Sequence, residues 1–85
     1  MTDERIAAIN NGLEILLYLL DLAHAVKMHA EAAKLEQAYI LLDNPMQRGD
    51  FYLAQERVPL VLNMLGEINE HHLQPFLVEV VTLLS

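Results

Sequence analysis

Cysteine is absent from this chain of 85 residues, and so is tryptophan. Without cysteine there is no disulfide, no thiolate nucleophile and no thiolate metal ligand. Basic residues are scarce too, since five lysines and arginines stand against twelve acidic residues, for a net charge of −7. These five are scattered and form no cluster that can follow a phosphate backbone, so we expect no nucleic-acid partner. The excess acidity instead favours a protein partner with a basic surface.

The motifs of common enzyme sites are also missing. The three glycines, at positions 12, 49 and 66, are isolated and form no phosphate-binding loop. A catalytic site needs several polar groups that converge in a cleft, and few polar residues fall on the inward faces of the predicted helices. We therefore predict that the protein is not an enzyme, and that it has no catalytic residue, cofactor or metal ion.

No uninterrupted apolar run is long enough to suggest a membrane span. The run that begins at Leu13 is broken by Glu14, Asp21 and His24, whereas a bilayer requires about 20 apolar residues. The N-terminal sequence MTDER is acidic and polar, unlike a secretory signal. These features predict a soluble, cytoplasmic protein with no membrane partner.

Hydrophobic residues are plentiful, at 54% of the chain. A chain of this length forms one domain, here residues 1–85, and buries only about 60–65% of its unfolded surface. Apolar side chains that do not fit inside form an exposed patch, and such patches mark interfaces. The composition therefore favours an oligomer.

Residues 13–43 contain no glycine or proline and are rich in good helix formers, which predicts one long central helix. Asn44-Pro45 should end it, because the residue before a proline avoids helical geometry. Asn10-Asn11-Gly12 is a plausible stop for a short first helix, although Gly12 is also tolerated inside a longer one. Two apolar stripes follow the predicted helix on opposite faces, while a surface helix needs only one. The second stripe consists of Leu13, Leu17, Leu20, His24, Met28, Ala32, Leu35, Tyr39 and Leu42.

Two further helices follow from the same spacing of apolar residues. Asp50 is a good N-cap for a helix over about 50–69, which Pro59 should kink on its outward side. Two shorter helices that meet at Val58-Pro59 are the alternative. Pro75 suits the first position of a last helix over about 75–84. The predicted fold is all-α, a small helical bundle around the long central helix.

Histidines provide the only candidates for metal chemistry. His24 follows Asp21 by three positions, which is half of the carboxylate-bridged di-metal motif of helical bundles. No second motif completes it, so we predict a structural His24 that hydrogen-bonds to Asp21. His71 and His72 fall where the helix over 50–69 should end, and there they would interact with its last carbonyls.

The other predicted helices can cover only one of the two apolar stripes, so the uncovered stripe is the predicted functional surface. A second copy of the chain is its simplest cover. The second stripe is the predicted interface, and the opposite stripe is the alternative interface. We predict a non-enzymatic protein–protein interaction module of the adaptor, chaperone, inhibitor or regulatory-subunit type that acts as a helical homodimer. The alternative is a carrier or sensor of an apolar small molecule, held between helices by Met28, Met64 and the tyrosines. The predicted interface residues are Leu13, Leu17, Leu20, His24, Met28, Leu35 and Tyr39.

Overall fold

A computed structural model describes residues 2–85, which form four α-helices and contain no strand. The helices are α1 (Asp3–Ala25), α2 (His29–Gln47), α3 (Phe51–Gly66) and α4 (Gln74–Leu84). The predicted all-α bundle is confirmed. The last helix lies where the position of Pro75 predicts it, and α3 ends at Gly66, earlier than expected.

The helices form a ring around one core. Helix α1 packs against α2 and α4, and α3 packs closely against α2 but more loosely against α4. Each helix contributes an apolar stripe to the core, and none of the buried residues in the described chain is polar or charged. The largest fully buried side chains include Ile9, Leu16, Leu19, Leu35, Leu42, Leu65, Leu73 and Leu84.

The prediction of one continuous helix over residues 13–43 is wrong, because the chain turns at Val26–Met28. Lys27 adopts a left-handed backbone with φ of 62°. Its N–H donates to the His24 carbonyl at 3.1 Å, and the Met28 N–H donates to the Ala23 carbonyl at 2.8 Å. This pair of bonds is the Schellman motif that closes helices. Glycine usually holds the left-handed position, so a lysine there gave the sequence analysis no stop signal.

The turn folds the predicted long helix onto itself as the α1–α2 hairpin. Leu13 from α1 and Leu35 from α2 are both buried in the common core. Leu20, Met28 and Tyr39 pack against that core. Much of the stripe that motivated a dimer is therefore covered within one chain.

Gly12 lies in the middle of α1 and does not end it, so of the two alternatives that the sequence leaves open, the longer helix with Gly12 inside it is the one observed. A Cβ atom at Gly12 would lie 3.1 Å from Cδ2 of Leu84 in α4. That distance is shorter than ordinary van der Waals contact. The glycine therefore permits a close approach of α1 to the Leu84 side chain of α4 and does not form a turn.

Helix α2 also continues past its predicted end at Asn44-Pro45, with Pro45 buried in its last turn. Proline has no N–H to donate to the carbonyl four residues earlier, which belongs to Leu41. The Arg57 guanidinium from α3 donates to that carbonyl at 3.1 Å instead. A donor from a neighbouring helix thus replaces the missing intrahelical bond.

The end of α2 is a second Schellman motif. Gly49 has φ of 73°, its N–H donates to the Met46 carbonyl at 3.2 Å, and the Asp50 N–H donates to the Pro45 carbonyl at 2.8 Å. The Asp50 side chain then accepts a bond from the Leu53 N–H at 3.2 Å and caps α3 as predicted. Pro59 lies inside the single helix α3, with its side chain exposed.

Arg5 connects three helices at one end of the bundle. Its Nε donates to Oε1 of Gln55 in α3 at 2.8 Å. Its two terminal nitrogens donate to the carbonyls of Leu83 and Leu84, at the end of α4. A cation at this position also complements the negative end of the helix dipole.

Helix α1 is long and apolar enough to cross a membrane by length and composition, with an 18-residue window of mean hydropathy 1.4. This corrects the expectation that no segment reaches that length, because the helix begins at Asp3 rather than at Leu13. A core helix passes the same test, and one stripe of α1 is buried in the core.

Candidate functional site

The predicted interface residues do not form one exposed face. Leu13 and Leu35 are only 6% and 0% exposed, so they belong to the core of the single chain. Leu17 and His24 are exposed. The remaining three predicted residues are half-buried: Leu20, Met28 and Tyr39.

Tyr39 is the one described residue whose acidity clearly departs from its ordinary range. Burial raises the pKa of its hydroxyl, and the charge of Asp43 and a hydrogen bond to that carboxylate raise it further. The phenol therefore stays neutral near pH 7 and acts as a hydrogen-bond donor to Asp43.

Large apolar side chains remain exposed on both sides of α3. On one side lies the seam with α2, and on the other lies the seam with α4. The spacing of apolar residues predicts neither set as a site, because it does not tell which residues a neighbouring helix covers. The large hydrophobic residues left exposed are Leu17, Tyr18, Val26, Ile40, Tyr52, Leu60, Val78 and Val81.

The first surface is a shallow groove of about 350 Å³ between α2 and α3, lined by Gln37, Ile40, Leu41 and Met64. Leu60 lies one turn before Met64 on α3, and residues four apart are neighbours on a helix surface. Ile40 and Leu60 are 45% and 50% exposed. We call these five residues the α2/α3 face.

Carboxylates flank the α2/α3 face. On α2, the exposed Glu36 lies four residues before Ile40, and Asp43 lies three residues after it, where its carboxylate accepts hydrogen bonds from Tyr39 and from Nε2 of Gln47 at 3.3 Å. On α3, Glu56 lies one turn before Leu60. Of the cations nearby, Lys34 is paired through Nζ with Glu67 at 2.7 Å, while Arg57 donates to the neutral Leu41 carbonyl and keeps its charge, one positive charge against three carboxylates. The rim of this face is therefore negative.

The second surface is a groove of about 320 Å³ between α3 and α4, and no charged residue lines it. Gln74 already donates to the Ile68 carbonyl at 3.1 Å, and the Thr82 hydroxyl donates to the Val78 carbonyl at 2.9 Å. Val78 is 61% exposed. We call this surface the α3/α4 groove, with lining residues Leu65, Gly66, Ile68, Asn69, Gln74, Val78, Val81 and Thr82.

The histidines are not arranged as predicted. His24 is exposed in the last turn of α1, and the hydrogen bonds among residues 2–85 do not include one to Asp21. His71 and His72 lie in the loop after α3, not in its last turn. Within the described part of the chain, no group of three or more potential ligands could hold a metal ion.

The residues predicted to hold an apolar small molecule are not brought together. Met28 lines a groove with Leu22, Val26, Glu70 and His72. Met64 lies in the α2/α3 face, on a different groove. The structure therefore assembles no single pocket from the two methionines.

Comparison of the chain with models of protein families, with curated proteins and with solved structures finds no match. The α2/α3 face and the α3/α4 groove differ in charge: carboxylates flank the first, and no charged residue lines the second.

Proposed function

We propose that the protein is a non-enzymatic protein–protein interaction module that acts as a helical homodimer, of the adaptor, chaperone, inhibitor or regulatory-subunit type. The observation that carries the proposal is the pair of exposed apolar surfaces on either side of α3. Contiguous exposed apolar area on a small protein marks a site of association. Two such surfaces allow the module to contact itself and a partner at the same time.

The α3/α4 groove is the surface that suits a second copy. Two chains that each carry a charge of −7 repel one another, and contact between their carboxylates adds to the cost. The groove contains no carboxylate, and its Gln74 and Thr82 side chains are hydrogen-bonded within the chain. Val78 and Val81 can thus meet the same residues of a second copy. This replaces the predicted contact through Leu13 and Leu35, which are buried.

The α2/α3 face suits the other partner, a protein with a basic surface. Its rim carries Glu36, Asp43 and Glu56 beside exposed Ile40 and Leu60. We also propose a cytoplasmic location without a membrane or nucleic-acid partner. The burial of one stripe of α1 in the core and the scattered positions of the cations support that part of the proposal.

Sedimentation over a range of concentrations tests the homodimer. Val78→Glu should weaken self-association by about tenfold or more, because it places like charges in the contact. Val26→Glu is the matched control, since Val26 is an exposed valine at the α1–α2 turn, 46% exposed and outside the groove. It should leave self-association unchanged. A native protein that is monomeric at all concentrations would contradict the homodimer, and equal effects of the two variants would contradict its location.

A further inference from the structure

We infer that the α2/α3 face binds an amphipathic helix of another protein that carries lysine or arginine beside its apolar stripe. This inference rests on the proposed interaction function and adds the class of ligand to it. It depends on three features of the face: its shape, its exposed apolar residues and its rim of carboxylates.

The shape suits a helix. Helices α2 and α3 are antiparallel, because Lys34 pairs with Glu67 at one end of the seam and Leu41 contacts Arg57 nearer the other. The groove between two such helices accepts the apolar side of a third, whose residues at i, i+3, i+4 and i+7 enter it. Ile40 lines the groove from α2 and Met64 lines it from α3, with Leu60 one turn before Met64.

The apolar residues of the face can adapt to a ligand. Met64 lies in the groove beside Leu41, and methionine fills irregular contacts because its unbranched side chain is flexible. Both residues are only half-buried. A guest helix with leucine or phenylalanine on its apolar stripe would remove the exposed area of this patch from water.

The charges select a basic helix. Glu36 and Asp43 lie within one turn of Ile40 on α2, and Glu56 lies one turn before Leu60 on α3. Lys34 is paired with Glu67, so these three carboxylates outnumber the one unneutralised cation nearby, Arg57, which donates to the Leu41 carbonyl. A ligand with lysine or arginine on both edges of its apolar stripe therefore complements the rim.

Other occupants fit this face less well. A second copy brings five scattered cations and twelve acidic residues, so its surface repels the rim. An anionic membrane surface repels it for the same reason. A protein helix with basic edges avoids both costs.

The probe for the test is a synthetic helical peptide of about 18 residues, with leucine at i, i+4, i+7 and i+11 and lysine on both edges. A matched peptide carries glutamate in place of the lysines. Fluorescence anisotropy should show binding of the lysine peptide that weakens as salt increases. The glutamate peptide should bind at least about tenfold more weakly than the lysine peptide.

Variants of the protein locate the site. Leu60→Asn and Ile40→Asn each remove an exposed apolar side chain without adding charge, and each should weaken binding of the lysine peptide by about tenfold. Glu36→Gln with Glu56→Gln should weaken it about two- to fivefold and reduce its dependence on salt. Val78→Asn is the control in the α3/α4 groove and should have no effect. Circular dichroism checks that each variant stays helical.

The outcomes separate this inference from the proposed function. Equal affinity for the two peptides would overturn the basic-helix ligand, while an effect of Leu60→Asn in that case would still support the face as an interaction site. Absence of binding by either peptide would overturn the inference, and so would equal effects of Leu60→Asn and Val78→Asn. The sedimentation of Val78→Glu tests the homodimer independently of all these results.

Discussion

The two turns that enclose α2 have the same hydrogen bonds but different residues. In each turn, the residue with positive φ donates its N–H to a carbonyl three residues earlier, and the next residue donates to a carbonyl five residues earlier. Lys27 holds this position between α1 and α2, with φ of 62°, and Gly49 holds it between α2 and α3, with φ of 73°. One turn uses the residue that the geometry prefers, and the other does not.

This difference shows which force determines each turn. Glycine adopts the left-handed conformation without a Cβ clash, whereas an L-residue such as lysine loses about 1–2 kcal/mol there. The turn at Lys27 forms because the hairpin buries the apolar stripes of α1 and α2 against each other. The Met28 N–H donates to the Ala23 carbonyl in this turn. Ala23 belongs to the core, and Met28 packs against it. Local preference shapes the turn at Gly49, and tertiary packing imposes the turn at Lys27.

Gly49→Val should break the second turn and have the largest effect. A β-branched residue at positive φ is strained, so we expect the free energy of unfolding to fall by about 2 kcal/mol. Urea denaturation followed by circular dichroism measures it. Gly49→Asn is the control, because asparagine tolerates the left-handed region and should lose much less. Equal losses for the two variants would argue against strain as the cause.

Asp50→Ala should remove the side-chain N-cap of α3. This cap is the second feature that the α2–α3 turn has and the α1–α2 turn lacks. The Asp50 carboxylate accepts a bond from the Leu53 N–H, whereas Met28 before α2 makes no side-chain cap. Loss of an N-cap lowers the free energy of unfolding by about 1 kcal/mol. Thermal and urea unfolding of Asp50→Ala and Asp50→Ser test this, since serine retains the cap. A loss of the same size for serine would show that the hydrogen bond is not the source.

Lys27→Gly should place a glycine at the left-handed position of the α1–α2 turn, as Gly49 does in the α2–α3 turn. It should have the smallest effect of the three substitutions. Relief of the left-handed strain outweighs the greater flexibility of glycine in the unfolded chain, so we expect a gain of about 0.5–1 kcal/mol. Val26→Gly is the control, because Val26 has φ of −95° and no such strain. It should be destabilising. If urea denaturation shows that Lys27→Gly is as destabilising as Val26→Gly, residue 27 does not have a left-handed backbone.

The same contrast explains how much of the fold could be predicted. Asp50 and Pro75 have side chains or rings that favour helix starts, so α3 and α4 were placed close to their observed positions. Lys27 has no such preference, and the turn that it occupies depends on contacts between residues far apart in the sequence. Pro45 was misread for a related reason, since Arg57 on another helix supplies the bond that makes proline tolerable in α2.

The candidate surfaces were less predictable than the fold. The spacing of apolar residues predicted the stripe from Leu13 to Tyr39 as an interface with a second copy, but it could not show that the chain turns at Lys27, buries Leu13 and Leu35 in its own core and leaves Leu17 and His24 exposed. Ile40, Leu60 and Val78 are exposed only because no other helix covers the outer edges of the two seams of α3. That depends on the arrangement of all four helices, which no single segment encodes.

The close approach of α1 to α4 at Gly12 has an evolutionary consequence. A side chain at position 12 would collide with Leu84 unless that leucine shifts. We therefore expect the two positions to vary together as the sequence diverges, although they lie near opposite ends of the chain. A larger residue at position 12 is accommodated best together with a smaller or differently placed residue at position 84.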